Sequence, residues 1–227
     1  SGTKLTLTIR RDGRADFDVV LTRANITTPT VFGKILDGGT GYIYISIFGD
    51  FTGDEFKKTL ADLAGQGATK LILDLRTNPG GIIHSALDIS SNFIEPGQVV
   101  LSTVDRAGGR EEYLAEGNSG GTWDMPIAAL VDEYSASAAE LVAGALQDYG
   151  RATLIGEQTF GKGTVQAIIP LETGGALKIT VARYQTPGGR NIDGTGLQPD
   201  IQVLTPGLSL AVAYAYLNGS PNSTIVF

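Results

Sequence analysis

The sequence predicts an α/β fold, and three observations carry that expectation. The short runs TKLILDL (69–75), PIAALV (126–131) and RATLIG (151–156) are nearly all apolar, as strands covered on both faces must be. Segments with helical apolar spacing separate them, giving strand–helix–strand units whose connections are right-handed when the strands are parallel. Between one such strand and its helix lies RTNPGG (76–81), in the position where α/β proteins carry functional loops.

In chain order, TKLTLTIRRDGRADFDVVLTR (3–23) alternates in two runs around Asp12-Gly13, which predicts a β-hairpin that needs a partner sheet. Residues 25–29 form a connector, with Pro29 keeping Thr28 extended. Gly38-Gly39 makes a turn, and GYIYISIF (41–48) alternates as a strand. From Thr52 the period changes. Phe56, Leu60, Leu63 and Ala64 share a helical face, Thr52 or Asp54 can cap its start, and Gly65 and Gly67 mark its end.

After strand 69–75 and the glycine turn, residues 82–94 read as a helix that Pro96-Gly97 stops. Residues 98–104 are a strand, 106–124 a polar loop with at most a short hairpin, and 136–149 an alanine-rich helix between strands 126–131 and 151–156. Runs 164–171 and 176–186 flank Thr173-Gly174-Gly175 as a hairpin, and 208–217 has helical spacing. There is no repeat, no low-complexity linker and no second core, so 227 residues make one large domain or a core with a small appendage.

Composition removes several functions. A net charge of −7 with no basic block argues against nucleic-acid binding. The absence of cysteine removes thiol nucleophiles, thiolate metal sites and disulfides. A single histidine, His84, cannot build a two-histidine zinc site and would have to serve any Ser-His-Asp triad, with an acid such as Asp74 as its partner. Neither a metal nor a cofactor is therefore expected, and no apolar run is long enough for an integral membrane span. A carboxylate pair of the glycosidase type has no motif to select it from 24 acids.

Two motifs carry candidate chemistry. GEQTFGKGT nearly matches a phosphate-binding loop, but Gly163 replaces the metal-binding hydroxyl and a strand rather than a helix follows, so a nucleotide is excluded. Lys162 is either a solvated loop lysine or, with Phe160, Val165, Ile168 and Ile169 around it, an amine that desolvation keeps neutral and able to accept a proton. Ser137-Ala-Ala-Glu140 fits a capping box, and Ser135 is a competing cap. A helix N-terminus also activates a nucleophile through unpaired amides and the dipole.

The ordered motifs DLRTNPGG, VDEYSASAAELVAGALQD, IGEQTFGKGTVQ and ITVARYQTPGGRNIDGTGLQPD resemble the carboxyl-terminal processing, or tail-specific, proteases from residue 1 to about 204. The resemblance implies a serine endopeptidase with a Ser-Lys dyad, acting on C-terminal or unfolded segments of a protein or peptide substrate. The second serine of SAS, Ser137, is its nucleophile. Lys162 is the base, Gln166 positions it, and the oxyanion amides come from Ala138 and the glycine turn, Gly80 first and Gly81 second. Ala139 stands where many relatives have serine.

The implied fold is an α/β core of the crotonase and Clp-protease kind. Residues 1–24 match the last strands of a PDZ domain and 25–227 the protease core, on the periplasmic, lumenal or extracellular side of a membrane. An inactive or latent peptide-binding fragment of the same family is the alternative, since the hairpin would be only part of a PDZ domain.

Overall fold

The computed structural model describes residues 1–25, 28–117, 121–205 and 207–219. Parts of two expected segments, Ile26 and Thr27 of the connector and residues 118–120 of the polar loop, lie outside the described residues. Strands β1 (Lys4–Ile9) and β2 (Phe17–Thr22) pair antiparallel as a two-stranded sheet of their own. Then follow β3 (Val31–Leu36), a 3₁₀ turn at Asp37–Gly39, β4 (Thr40–Ile45), α1 (Thr52–Gly65), β5 (Lys70–Asp74) and α2 (Ile83–Ser90). Next are β6 (Val99–Asp105), β7 (Arg110–Leu114), β8 (Ile127–Val131), α3 (Ala138–Asp148) and β9 (Ala152–Gly156). The hairpin β10 (Thr164–Pro170) and β11 (Ala176–Gln185), the short β12 (Ile201–Gln202) and α4 (Ser209–Leu217) complete the order.

The central sheet has the order β12-β9-β8-β5-β4-β3. It is parallel except for β3, which pairs antiparallel with β4 at one edge. Strand alternation assigns its two faces. Leu71, Leu73, Ala129, Val131 and Leu154 join a large core with Phe56 and Leu60 of α1, Ile89 of α2 and Leu141 and Val142 of α3. Ile72, Ala128, Leu130 and Ile155 point the other way, into a smaller core with Val212 and Ala213 of α4. The all-apolar reading of these strands thus has its cause in helices on both faces, and each fully buried Leu or Ile stabilises by about 1.5–3 kcal/mol.

A second, antiparallel sheet of order β10-β11-β6-β7 stands beside this core. The polar loop after β6 does return as a hairpin strand, β7. Two strands escape the periodicity argument. In β3, Gly33 and Lys34 interrupt the pattern; a Cβ on Gly33 would lie 2.3 Å from Thr59 Cγ2, so the glycine is what lets α1 approach the strand. β12 is only two residues long. α2 is shorter than the predicted 82–94 and passes into turns after Ser90. The start of α1 is not capped by Thr52 or Asp54: Phe51 holds the cap position, and Thr52 Oγ1 accepts from Gly49 N (2.8 Å) and bonds Thr30 Oγ1 (2.7 Å) instead.

Candidate active site

Ser137 ends the turn between β8 and α3. Its neighbour Ser135 is fully buried, donates from Oγ to Leu75 O (2.8 Å) and accepts from Asp132 N (2.9 Å). That hydroxyl pins the turn to β5. Ser137 is half-buried and has φ 56° and ψ −116°. A positive φ costs a residue with a Cβ on the order of 1–3 kcal/mol, and such strain persists only where surrounding structure imposes it. Strand, sharp turn and helix are also the context that exposes a nucleophile above a sheet. The Ser137 amide donates to Glu140 Oε2 (2.8 Å), the reach-back expected of a capping box.

The glycine turn is pressed against this serine. Asn78 is fully buried; its Nδ2 donates to Ile45 O (2.7 Å), its Oδ1 accepts from Gly80 N (2.8 Å), and its carbonyl accepts from Ala136 N (2.9 Å). One asparagine therefore ties β4, the glycine turn and the SAS turn together. A Cβ on Gly80 would meet Ala136 O at 2.6 Å, Ser137 Cβ at 2.7 Å and Ala138 N at 2.9 Å. On Gly81 it would fall 2.0 Å from Phe48 O. The Gly80 amide is engaged by Asn78, whereas the amides of Gly81 and Ala138 donate to no acceptor among the described residues. The resemblance implies Gly80 first and Gly81 second as oxyanion donor; the Asn78 side chain, folding back two residues, engages the Gly80 amide.

Lys162 and the surroundings of Ser137 share a cavity of about 540 Å³, lined by Thr77, Pro79, Tyr134, Ala136, Phe160 and Lys162. The expected apolar enclosure of the lysine is absent. Lys162 is exposed, as are Phe160 (63 %), Ile168 (68 %) and Ile169 (43 %), because β10 is an edge strand of its sheet. No hydrogen bond joins the Lys162 side chain to Ser137 or to Gln166 among the described residues. Gln166 is exposed on β10, where the pairing with β11 shifts register between Val165 and Gln166. The structure thus brings Ser137, Ala138, Gly80 and Gly81 together, sets Lys162 on the same cavity, and leaves Gln166 unbonded to the lysine.

The competing candidates are occupied elsewhere. His84 is exposed on α2, with Nε2 3.9 Å from Asp88 Oδ2. Asp74 is buried and accepts from Tyr42 OH (2.7 Å) and Arg76 Nε (2.8 Å). Burial and the bond to Asp74 push the Tyr42 hydroxyl well above the ordinary tyrosine range. Burial, then the charges of Glu133 and Asp132, raises the Glu157 carboxyl above the ordinary range. β10, not a helix, follows Lys162, which removes the phosphate loop.

Sequence reasoning missed Asn78 and Thr77. Asn78 precedes Pro79-Gly80-Gly81, where a short amide can fold onto its own turn. Thr77 has φ 57°, and its amide is held by both Asp132 oxygens at 2.9 Å; no local pattern announces that strain.

Comparison with known proteins gives the family. Residues 39–203 match the model of Peptidase family S41. The chain is 39% identical over 214 residues to a carboxyl-terminal-processing protease of Synechocystis sp., covering 92% of this chain and 49% of that protein. It is 36% identical over 205 residues to carboxy-terminal processing protease CtpA of Bacillus subtilis, covering 90% and 44%. It therefore spans about half the length of these curated relatives. The solved photosystem II D1 C-terminal processing protease superposes with a TM-score of 0.74 at 29% identity, over 100% of this chain and 62% of that one. On the family match and these identities, the chain belongs to peptidase family S41.

Proposed function

We propose that the chain carries the catalytic part of a serine endopeptidase that cleaves C-terminal or unfolded segments of protein substrates. The observation that carries this reading is the strained Ser137 at the N-terminus of α3, with the glycine turn packed on it and Lys162 lining a cavity with its neighbour Ala136 and with Pro79 of that turn. Lys162 takes the Ser137 proton, Oγ attacks the peptide carbonyl, the protonated amine gives that proton to the leaving nitrogen as the C–N bond breaks, and water then releases the acyl group from Ser137. Gln166 orients the lysine. Because Lys162 is exposed and unbonded to Ser137 at rest, bound peptide must exclude water and draw the two together, as catalytic hydrogen bonds often tighten only in the complex.

The oxyanion is assigned to the amides of Ala138 and Gly81, which donate to no acceptor among the described residues, in preference to the engaged amide of Gly80. Each such donor contributes about 2.7–4 kcal/mol of barrier lowering. The β1–β2 hairpin is read as PDZ-derived and residues 25–227 as a crotonase-like protease core; the hairpin's separate sheet supports that division. By analogy with its relatives the protein works in a periplasmic, lumenal or extracellular space. No described helix is long and apolar enough to cross a membrane. Cleavage of an unstructured peptide with an apolar C-terminus tests the reading: it is expected to vanish in Ser137→Ala and in Lys162→Ala, and full activity in either variant overturns it.

A further inference from the structure

Glu140 is 0 % exposed, and a carboxylate taken out of water must find donors in the protein. Its oxygens have four. Oε2 accepts from Ser137 N (2.8 Å) and Lys162 N (2.9 Å). Oε1 accepts from Gly161 N (2.7 Å) and Thr159 Oγ1 (2.6 Å). Thr159 Oγ1 in turn accepts from Leu197 N (2.7 Å), and its amide donates to Leu197 O (3.1 Å). The capping-box reading explains the first of these bonds alone. The other three come from the 159–162 loop, about twenty residues away along the chain.

A single oxygen thus receives the backbone amides of both Ser137 and Lys162. The two nitrogens are held no farther apart than those two bonds laid end to end. Side chains of the pair are mobile about their own torsions, but their backbone anchors are not independent. We infer, building on the dyad reading, that Glu140 is a positioning residue that sets the Ser137–Lys162 spacing by holding both backbones on one carboxylate oxygen. It touches neither substrate nor reacting atoms.

The geometry makes the consequences specific. In Glu140→Gln one oxygen becomes an NH2 group that confronts amide or hydroxyl donors, so at least one of the two loops must withdraw. A displacement of about 1 Å at a catalytic constellation costs about 100-fold in rate. Glu140→Asp keeps two acceptor oxygens but is one methylene short, so it meets the same donors only at longer distance.

Kinetics on a fluorogenic peptide with an apolar C-terminus, and the rate at which a fluorophosphonate labels Ser137, test this in parallel with Ser137→Ala. Thermal melts and circular dichroism establish folding. Glu140→Gln is expected to lose about 100-fold in kcat, with KM within threefold and slowed labelling. Glu140→Asp is expected to recover part of that loss. A folded Glu140→Gln with kcat and labelling within threefold of the parent overturns the inference. So does failure of both variants to fold, which would make the residue structural. If cleavage survives Ser137→Ala, the dyad reading itself fails; if it is abolished there but retained in Glu140→Gln, only the role of Glu140 falls.

Discussion

Replacing Gly80 by alanine inserts one methyl group at the point where the glycine turn meets Ser137, the proposed nucleophile. The new Cβ would lie 2.7 Å from Ser137 Cβ, 2.6 Å from Ala136 O and 2.9 Å from Ala138 N. Carbon atoms in ordinary contact sit about 3.5–4.0 Å apart, so Ser137 Cβ must retreat by about 0.8 Å or more. Gly80 also has φ 90°, which alanine adopts only under strain of about 1–3 kcal/mol. Overpacking adds about 1–3 kcal/mol. The sum, about 2–6 kcal/mol, is a large part of the ~5–15 kcal/mol that holds a domain folded. Activity is expected to fall further, by about 100-fold beyond any unfolded fraction, because the retreating atom is the Cβ of the proposed nucleophile.

Urea titration with circular dichroism reads the first quantity, and peptide cleavage per folded molecule the second. Gly65→Ala is the control: nothing lies within 4 Å of the position a Cβ would take, and its φ is not positive. At a helix end this change is neutral or stabilising by up to about 1 kcal/mol. A folded Gly80→Ala protein with parental stability and a rate within threefold of the parent would refute the packing argument.

Three further outcomes follow from the same geometry. Ser137→Gly and Ser137→Ala both lack the hydroxyl, but only glycine relieves the positive φ, so the glycine variant is expected to be more stable by about 1 kcal/mol; the reverse order in chemical denaturation counts against backbone strain at this residue. Ser135→Ala removes a buried donor to Leu75 O and the acceptor of Asp132 N, lowering stability by about 1–3 kcal/mol while retaining measurable cleavage, unlike Ser137→Ala. Burial pushes the Tyr184 hydroxyl from 10.0 up to about 12. The neutral form is favoured in the folded state, so this stabilisation is full below pH 10 and is lost as pH rises from 10 to 12, by roughly 2–3 kcal/mol. Urea midpoints between pH 9 and 12 should fall less steeply in Tyr184→Phe, and an unchanged slope would remove Tyr184 from the alkaline transition.

The legible part of the fold came from period and burial. TKLILDL, PIAALV and RATLIG are apolar at successive positions because helices cover both faces of the sheet, α1 to α3 on one and α4 on the other. β3 was not legible, because Gly33 serves the close approach of helix α1 to the strand, which leaves no periodic trace. The predicted enclosure of Lys162 failed for a related reason. Phe160, Ile168 and Ile169 are neighbours in sequence, yet an edge hairpin leaves them exposed.

By itself the sequence determined most of the elements, the residue types able to do chemistry, and through its four ordered motifs the family; all of these depend on local pattern. Only the tertiary structure decided which polar groups are engaged. Ser135 is committed to Leu75 and Asp132, and the Gly80 amide to Asn78, while the amides of Gly81 and Ala138 donate to no acceptor among the described residues. The same folding brings Glu140 to the loop that carries Lys162. Those assignments are hydrogen bonds closed between distant segments, and a buried donor or acceptor takes whichever partner packing delivers. No spacing along the chain encodes that choice.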